Sequence, residues 1–310
     1  MRTIQETNLA QRRTEEEMLE LILRTAKTDE RIRAVFLNGS RANPAAPKDR
    51  FQDFDIVYAV TETASFLADP EWISVFGELI MMQEPDRMDH LRGQKVDFGT
   101  SYSYLMLFSD GNRLDLRLLQ KDNARRAALT ESQTVVLLDK DGIIPPLQPA
   151  TDRDYWVSPP TPAAFNAAAN EFFWCSQNVA KGLWRDELPY AKAMMDSVVR
   201  VPLDAMMHWH IGHQYGYEIS PGKMGKYYKQ LTSPDVWRMY EQTYAGSSHS
   251  EMWDSLFAAI TLFRKLAAEI APLAGSVYPD QDDCRMTRYL EAVRSDSVSR
   301  RQCRDSSTRP

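Results

Sequence analysis

The chain has 310 residues, a formal net charge of −6 and 43% hydrophobic residues, enough for two domains with cores of their own. The acidic balance argues against a nucleic-acid partner, whose phosphates call for a basic surface, and suits a cationic ligand. Three unpaired-looking cysteines (Cys175, Cys284, Cys303), a polar start and no apolar run of roughly 18 residues exclude a disulfide framework, a signal peptide and a membrane span, and predict a cytoplasmic protein with no membrane partner.

Residues 1–13 read as a disordered lead-in. A helix is expected from Thr14, which can cap it. Glu17 completes a capping box, and Met18, Leu19, Ile22 and Leu23 form the apolar stripe. Residues 32–38 and 54–60 read as buried strands, 65–77 as short helical material and 78–83 as a further strand. Residues 101–120 read as a hairpin whose turn is Asp110-Gly111, and 134–142 as a last strand running into a turn. The first half is therefore a mixed, at least partly antiparallel sheet with flanking helices, ending near residue 150. Six prolines between 143 and 162 mark a linker. Beyond it, helical patterns cover 161–183, 187–214, 234–244 and 250–274, without strand-like alternation, so 151–290 is expected to be a helical bundle. The stretch 291–310 is almost free of apolar residues and reads as a disordered tail. The fold class is α+β.

Two aspartates, Asp53 and Asp55, stand one residue apart where the second strand begins. Like charges so close resist burial unless a cation lies between them. On a strand both point the same way, with Phe54 and Ile56 on the other face. In the later strand, Leu114, Leu116 and Leu118 share one face and Asp115 and Arg117 the other. If the two strands pair, Asp115 joins Asp53 and Asp55. Three carboxylates there can ligate one or two Mg²⁺ ions through hard oxygens, an arrangement suited to phosphoryl or nucleotidyl transfer. Asp115 is then either a metal ligand or the general base. Gly39-Ser40, followed by Arg41, closes the first strand and can offer backbone N–H groups, a hydroxyl and a cation to a triphosphate. The chain has no P-loop.

The joint pattern of apolar strand, Gly-Ser, 12 residues, Asp-x-Asp, apolar strand and a distant apolar-Asp-apolar strand resembles the nucleotidyltransferase superfamily signature. The stretches LNGSRAN (37–43), FQDFDIVYAVT (51–61), FGELIMMQEP (76–85), LFSDGNRLDLRL (107–118), LLDKDG (137–142) and NEFFWCSQNVAKGLWRDELPYAK (170–192) resemble the aminoglycoside 6-adenylyltransferases, over roughly 15–285. The resemblance implies a nucleotidyltransferase domain at 14–150 and a helical substrate-binding domain at 151–290. It also implies ATP and Mg²⁺ as cofactors, and transfer of AMP to the 6-hydroxyl of streptomycin with release of pyrophosphate. Gly39, Ser40, Asp53, Asp55 and Asp115 fall on its motif positions.

Other residues admit two readings. Lys223 and Lys226 lie near two glycines, and Lys181 sits four residues from Arg185 on a helix; each reads as a phosphate contact or a solvated basic surface. Glu171 and Asp196 read as acids for a polycationic antibiotic or as surface carboxylates. His208, His210 and His213 share a helix in a geometry that suits packing better than zinc. Two rival readings are a nucleotidyltransferase acting on a protein or tRNA and a non-catalytic nucleotide-binding module. The missing basic patch opposes tRNA, and the full set of three carboxylates opposes the module. A monomer is expected.

Overall fold

The computed structural model describes residues 12–307. It divides into two compact units between Asp154 and Tyr155. The first unit opens with α1 (Glu15–Thr28), β1 (Ile32–Asn38), the single turn α2 (Gly39–Ala42), β2 (Phe54–Val60), α3 (Ala64–Leu67) and β3 (Leu79–Gln83). It continues with α4 (Pro85–Leu91), β4 (Ser101–Phe108), β5 (Arg113–Gln120), α5 (Ala124–Thr130) and β6 (Thr134–Asp139). The strands form one sheet in the order β3-β4-β5-β2-β1-β6. Every neighbouring pair is antiparallel except β2 and β5, which run parallel. The α+β mixed sheet with flanking helices is thus observed.

The capping box at Thr14 and Glu17 forms as the sequence predicts, and α1 buries Met18, Ile22 and Ala26. These pack on one face of the sheet with Phe54, Ile56, Tyr58, Leu114, Leu116 and Leu118, under Phe66 and Phe76. The Tyr58 hydroxyl donates to the Ile22 carbonyl at 2.6 Å, which satisfies a buried polar group inside this layer. The opposite face is covered over part of its width: Ala34, Phe36, Val57, Ala59 and Leu119 pack with Ala124 of α5 and with Ile143 and Ile144. Alternation along β5 sends Asp115 and Arg117 to this second face, away from the three leucines.

Several local elements were not anticipated. The helices α4 and α5 are short, seven residues each, and carry too few apolar positions to show a period. Of the expected disordered lead-in, residues 1–11 lie outside the described residues. Arg12 and Arg13 are tied down instead. Arg12 donates to Asn112 Oδ1 at 2.8 Å, and Arg13 Nε donates to Asp110 Oδ2 at 2.6 Å.

The second unit contains α6 (Pro162–Trp184), α7 (Leu188–Met194), α8 (Arg200–Gln214), α9 (Tyr228–Leu231), α10 (Pro234–Glu241), α11 (His249–Leu273) and α12 (Asp280–Ser307). Its core is one cluster, with Phe172 of α6 stacked on Phe263 of α11 at 3.9 Å between ring centres. A π-helical turn, Met195–Val199, joins α7 to α8, so the stretch expected as a single helix carries a wide turn. Residues 291–307 are helical, where a disordered tail was expected. The reason is polar docking. Arg264 clamps the buried Asp283 with two bonds of 2.5 and 2.7 Å, Trp184 Nε1 donates to Asp296 at 2.5 Å, and Arg294 donates to Asp254 at 2.6 Å. Leu290 is the fully buried apolar anchor. Such a helix has almost no apolar periodicity to read. Among the described residues no helix is long and apolar enough to cross a membrane.

Asp110 closes the β4–β5 turn and receives Arg13. Burial alone would raise its pKa, but bonds from Arg13 and Asn112 outweigh that and hold the carboxyl well below the usual range. A depressed carboxylate stabilises the fold above its unfolded pKa and loses that contribution as pH falls toward its folded value. Asp110→Asn is therefore expected to cost about 2 kcal/mol at neutral pH, with the deficit shrinking below about pH 4. Urea unfolding of both proteins across that pH range measures it.

Candidate active site

The site lies on the partly covered face of the first unit's sheet. Parallel pairing of β2 with β5 sets Asp55 directly opposite Asp115, and Phe54 opposite Leu114. One step earlier, Asp53 falls alongside Arg113. The predicted meeting of the three carboxylates is therefore observed, with a guanidinium set into it. Arg113 Nε and Nη2 donate to the two Asp115 oxygens at 2.8 and 2.7 Å, and Nη1 lies 3.4 Å from Asp53 Oδ2. Asp55 is more enclosed than Asp53. Burial first, then the charges of Asp115 and Asp53, push its pKa up to about 6. Asp53 is also raised, chiefly by burial, against the pull of Arg113.

Gly39 opens α2 with φ +70, and its Cβ position would lie 2.3 Å from Asp55 Oδ2. Any side chain there would strike the carboxylate, so the close approach and the left-handed backbone both require glycine. The turn is held by a bond from Gly39 N to the Gln133 carbonyl at 3.1 Å. Ser40 Oγ accepts from Gln52 Nε2 at 3.4 Å. Gly39 and Ser40 thus stand at the edge of the carboxylate cluster, where the sequence placed a phosphate contact.

Arg41 is positioned differently from the expectation of a nucleotide contact. Its side chain is buried over the Phe54 ring, donates to the Gln52 and Asp53 carbonyls at 2.8 and 3.0 Å, and pairs with Glu15. Its guanidinium buckles the segment before β2, which fixes where Asp53 emerges. The helical unit holds the remaining predicted residues. Lys181 Nζ donates to Asn178 Oδ1 at 2.9 Å and lines a surface cleft of about 450 Å³ with Arg185 and Asp296. Lys223 and Lys226 are exposed, and Lys226 lies over the Tyr227 ring. Glu171 is exposed and accepts from the Cys175 thiol at 3.2 Å. Asp196 sits in the π-helical turn, paired with Arg200 at 3.5 Å. His210 bonds Glu269 at 3.0 Å and Gln214 at 2.9 Å, a packing role.

Arg113 is the site residue that sequence reasoning missed. Its signal was present: strand alternation places it on the Asp115 face, and the parallel register sets it beside Asp53. Among the described residues no three His, Cys, Asp or Glu side chains stand ready to hold an ion as they lie. The Arg113 guanidinium lies between Asp53 and Asp115 instead. The donor set still fits a divalent cation. It offers hard carboxylate oxygens from two neighbouring strands, and it already holds a positive group, the Arg113 guanidinium.

A mixed sheet that gathers three carboxylates on one face is what a nucleotidyltransferase would need, and the relatives of this chain are enzymes of that class. Residues 12–293 match the family described as streptomycin adenylyltransferase. The chain is 40% identical to an aminoglycoside 6-adenylyltransferase of Bacillus subtilis over 91% of its length and 98% of that protein. It is 38% identical to one of Campylobacter jejuni over 90% and 95%. A crystal structure of the aminoglycoside 6-adenyltransferase from Bacillus subtilis covers 91% of this chain and 98% of its own, with a TM-score of 0.44. The protein therefore belongs to the streptomycin adenylyltransferase family.

The Gly39 geometry yields a direct test. Gly39→Ala should cost roughly 1–2 kcal/mol of stability for the left-handed backbone and displace Asp55. A shift of that kind lowers turnover by about a hundredfold. Thermal unfolding and steady-state rates separate the two effects, and the rate should fall far more than the stability explains.

Proposed function

We propose that the protein transfers AMP from ATP, with Mg²⁺, to the 6-hydroxyl of streptomycin, releasing pyrophosphate and so conferring resistance. The observation that carries this reading is the register of Asp55 against Asp115 beside Asp53. It gathers on one sheet face the carboxylates that nucleotidyl transfer needs, in a chain whose relatives are named for aminoglycoside adenylylation.

In this reading Asp53 and Asp55 hold Mg²⁺, which polarises the α-phosphate when bound. The backbone N–H groups and hydroxyl at Gly39-Ser40 receive the phosphates. Asp115, across from Asp55, takes the proton of the acceptor hydroxyl. The hydroxyl oxygen forms a bond to the α-phosphorus while the bond to the bridging oxygen breaks, and pyrophosphate leaves with that electron pair. Glu171 and Asp196, both exposed acids, attract the cationic groups of the antibiotic, in keeping with the chain's net charge of −6.

The decisive experiment is mass spectrometry of streptomycin after incubation with ATP, Mg²⁺ and the protein. One added AMP is expected. If no aminoglycoside gains AMP while ATP binds, the acceptor assignment fails. Glu171→Gln should raise the antibiotic's KM more than that of ATP, and rising salt should weaken antibiotic binding, because exposed charge pairs are screened over about 8–10 Å.

The carboxylates are tested separately. Asp53→Asn, Asp55→Asn and Asp115→Asn should each keep the fold, since each removes a like charge from a crowded cluster. Each should lower kcat by about a thousandfold or more, near 4 kcal/mol of transition-state stabilisation. The first two should also abolish Mn²⁺ binding, whereas Asp115→Asn should retain it. Wild-type turnover in any of the three contradicts the assignment.

A further inference from the structure

Arg113 has no place in the transfer reaction as described, yet it contacts two of the three carboxylates. Its fork is bidentate on Asp115, and its third nitrogen reaches Asp53, so one guanidinium spans carboxylates from two strands. The side chain is 45% exposed and its stem rises from the first residue of β5, so it can swing outward without disturbing the sheet. The position is dictated by the register: the strand face that carries Asp115 must also carry residue 113, beside Asp53.

Three carboxylates on one face repel each other, and in the absence of a metal something must offset that repulsion. From this geometry we propose that Arg113 is the resident counter-cation of the carboxylate cluster, a positioning residue that competes with the divalent metal for Asp53. This rests on the reading of the cluster as the metal site. The physical reason is simple. Asp53 cannot give full charge to an ion while a guanidinium 3.4 Å away shares it, and a second cation beside Arg113 meets like-charge repulsion. Arg113 must therefore leave the carboxylates before an ion is ligated. A polyphosphate supplies what the displaced guanidinium then needs, an anionic partner matching its planar fork. The consequence is ordered loading: free metal binds weakly, and metal enters together with the nucleotide.

The test is Mn²⁺ binding, read by the loss of the free-ion electron paramagnetic resonance signal, with no nucleotide present. Arg113→Gln should bind Mn²⁺ about tenfold tighter than wild type or better. Arg113→Lys, which keeps the charge, should stay as weak as wild type. Asp53→Asn combined with Arg113→Gln should lose the gain. ATP binding, measured by calorimetry with Mg²⁺ present, should weaken in Arg113→Gln because the displaced guanidinium is missing. Far-UV circular dichroism and thermal unfolding confirm that each variant is folded. Mn²⁺ affinity in Arg113→Gln equal to or below that of wild type overturns the proposal. So does a gain that persists without Asp53. These outcomes are independent of the acceptor: streptomycin can prove to be the substrate while the Arg113 inference fails, and the reverse.

Discussion

The structure depends on one pairing, the parallel alignment of β2 with β5. It sets two carboxylates, Asp55 and Asp115, side by side on neighbouring strands and brings Asp53 next to them. Nothing local favours this. Strands that are consecutive in the chain usually pair antiparallel through short turns, whereas β2 and β5 are separated by α3, β3, α4 and β4. That long excursion is what allows β5 to return alongside β2 in the same direction. It also leaves β3 and β4 as the outer strands on that side of the sheet. The face that carries the carboxylates is a product of the crossover.

Gathering like charges works against folding, and the rest of the first unit offsets it. The face opposite the carboxylates is dry and densely packed, with Phe54, Ile56, Tyr58 and the three leucines of β5 under α1. That core holds both strands rigidly enough to keep the acids together. Arg41 fixes the entry to β2 through backbone carbonyls, and Gly39 lets α2 approach Asp55 without a side chain in between. Asp55, raised to about 6 by burial first and by its two carboxylate neighbours second, shows what enclosing charge in this cluster costs. Strain of this kind is tolerated where chemistry needs it and is supported by ordinary packing beneath.

The helical unit uses different physics. Its core is continuous and aromatic, and its last helix adds ion pairs and hydrogen bonds at Asp283, Asp296 and Asp254 to the apolar anchor Leu290. The exposed acids Glu171 and Asp196 stand at the rim of that core, each with one contact to a buried residue, Cys175 and Arg200. Asp196 stands on a π-helical turn, a local widening that departs from regular helical spacing and often accompanies function.

Much of this was legible in the sequence, because periodicity is local. Alternation along 54–60 and 113–120 assigned Asp53, Asp55 and Asp115 to one kind of face, the Thr14–Glu17 spacing announced α1, and the prolines marked the passage between units. The family resemblance then joined the two distant strands. What the sequence by itself could not determine was everything set by contact across long separations. The helix α12 lacks an apolar stripe, so its docking was invisible until Arg264 and Trp184 were seen against it. Arg41 reads in the sequence as a phosphate contact, and its bonds to the Gln52 and Asp53 carbonyls appear only in the structure, because the backbone before β2 places those carbonyls. Arg113 was passed over because its meaning depends on a residue 60 positions earlier, Asp53, becoming its neighbour. Local chemistry determined which residues share a face; only the tertiary structure decided which charges meet there, since that rests on strand partners and side-chain directions that no local pattern encodes.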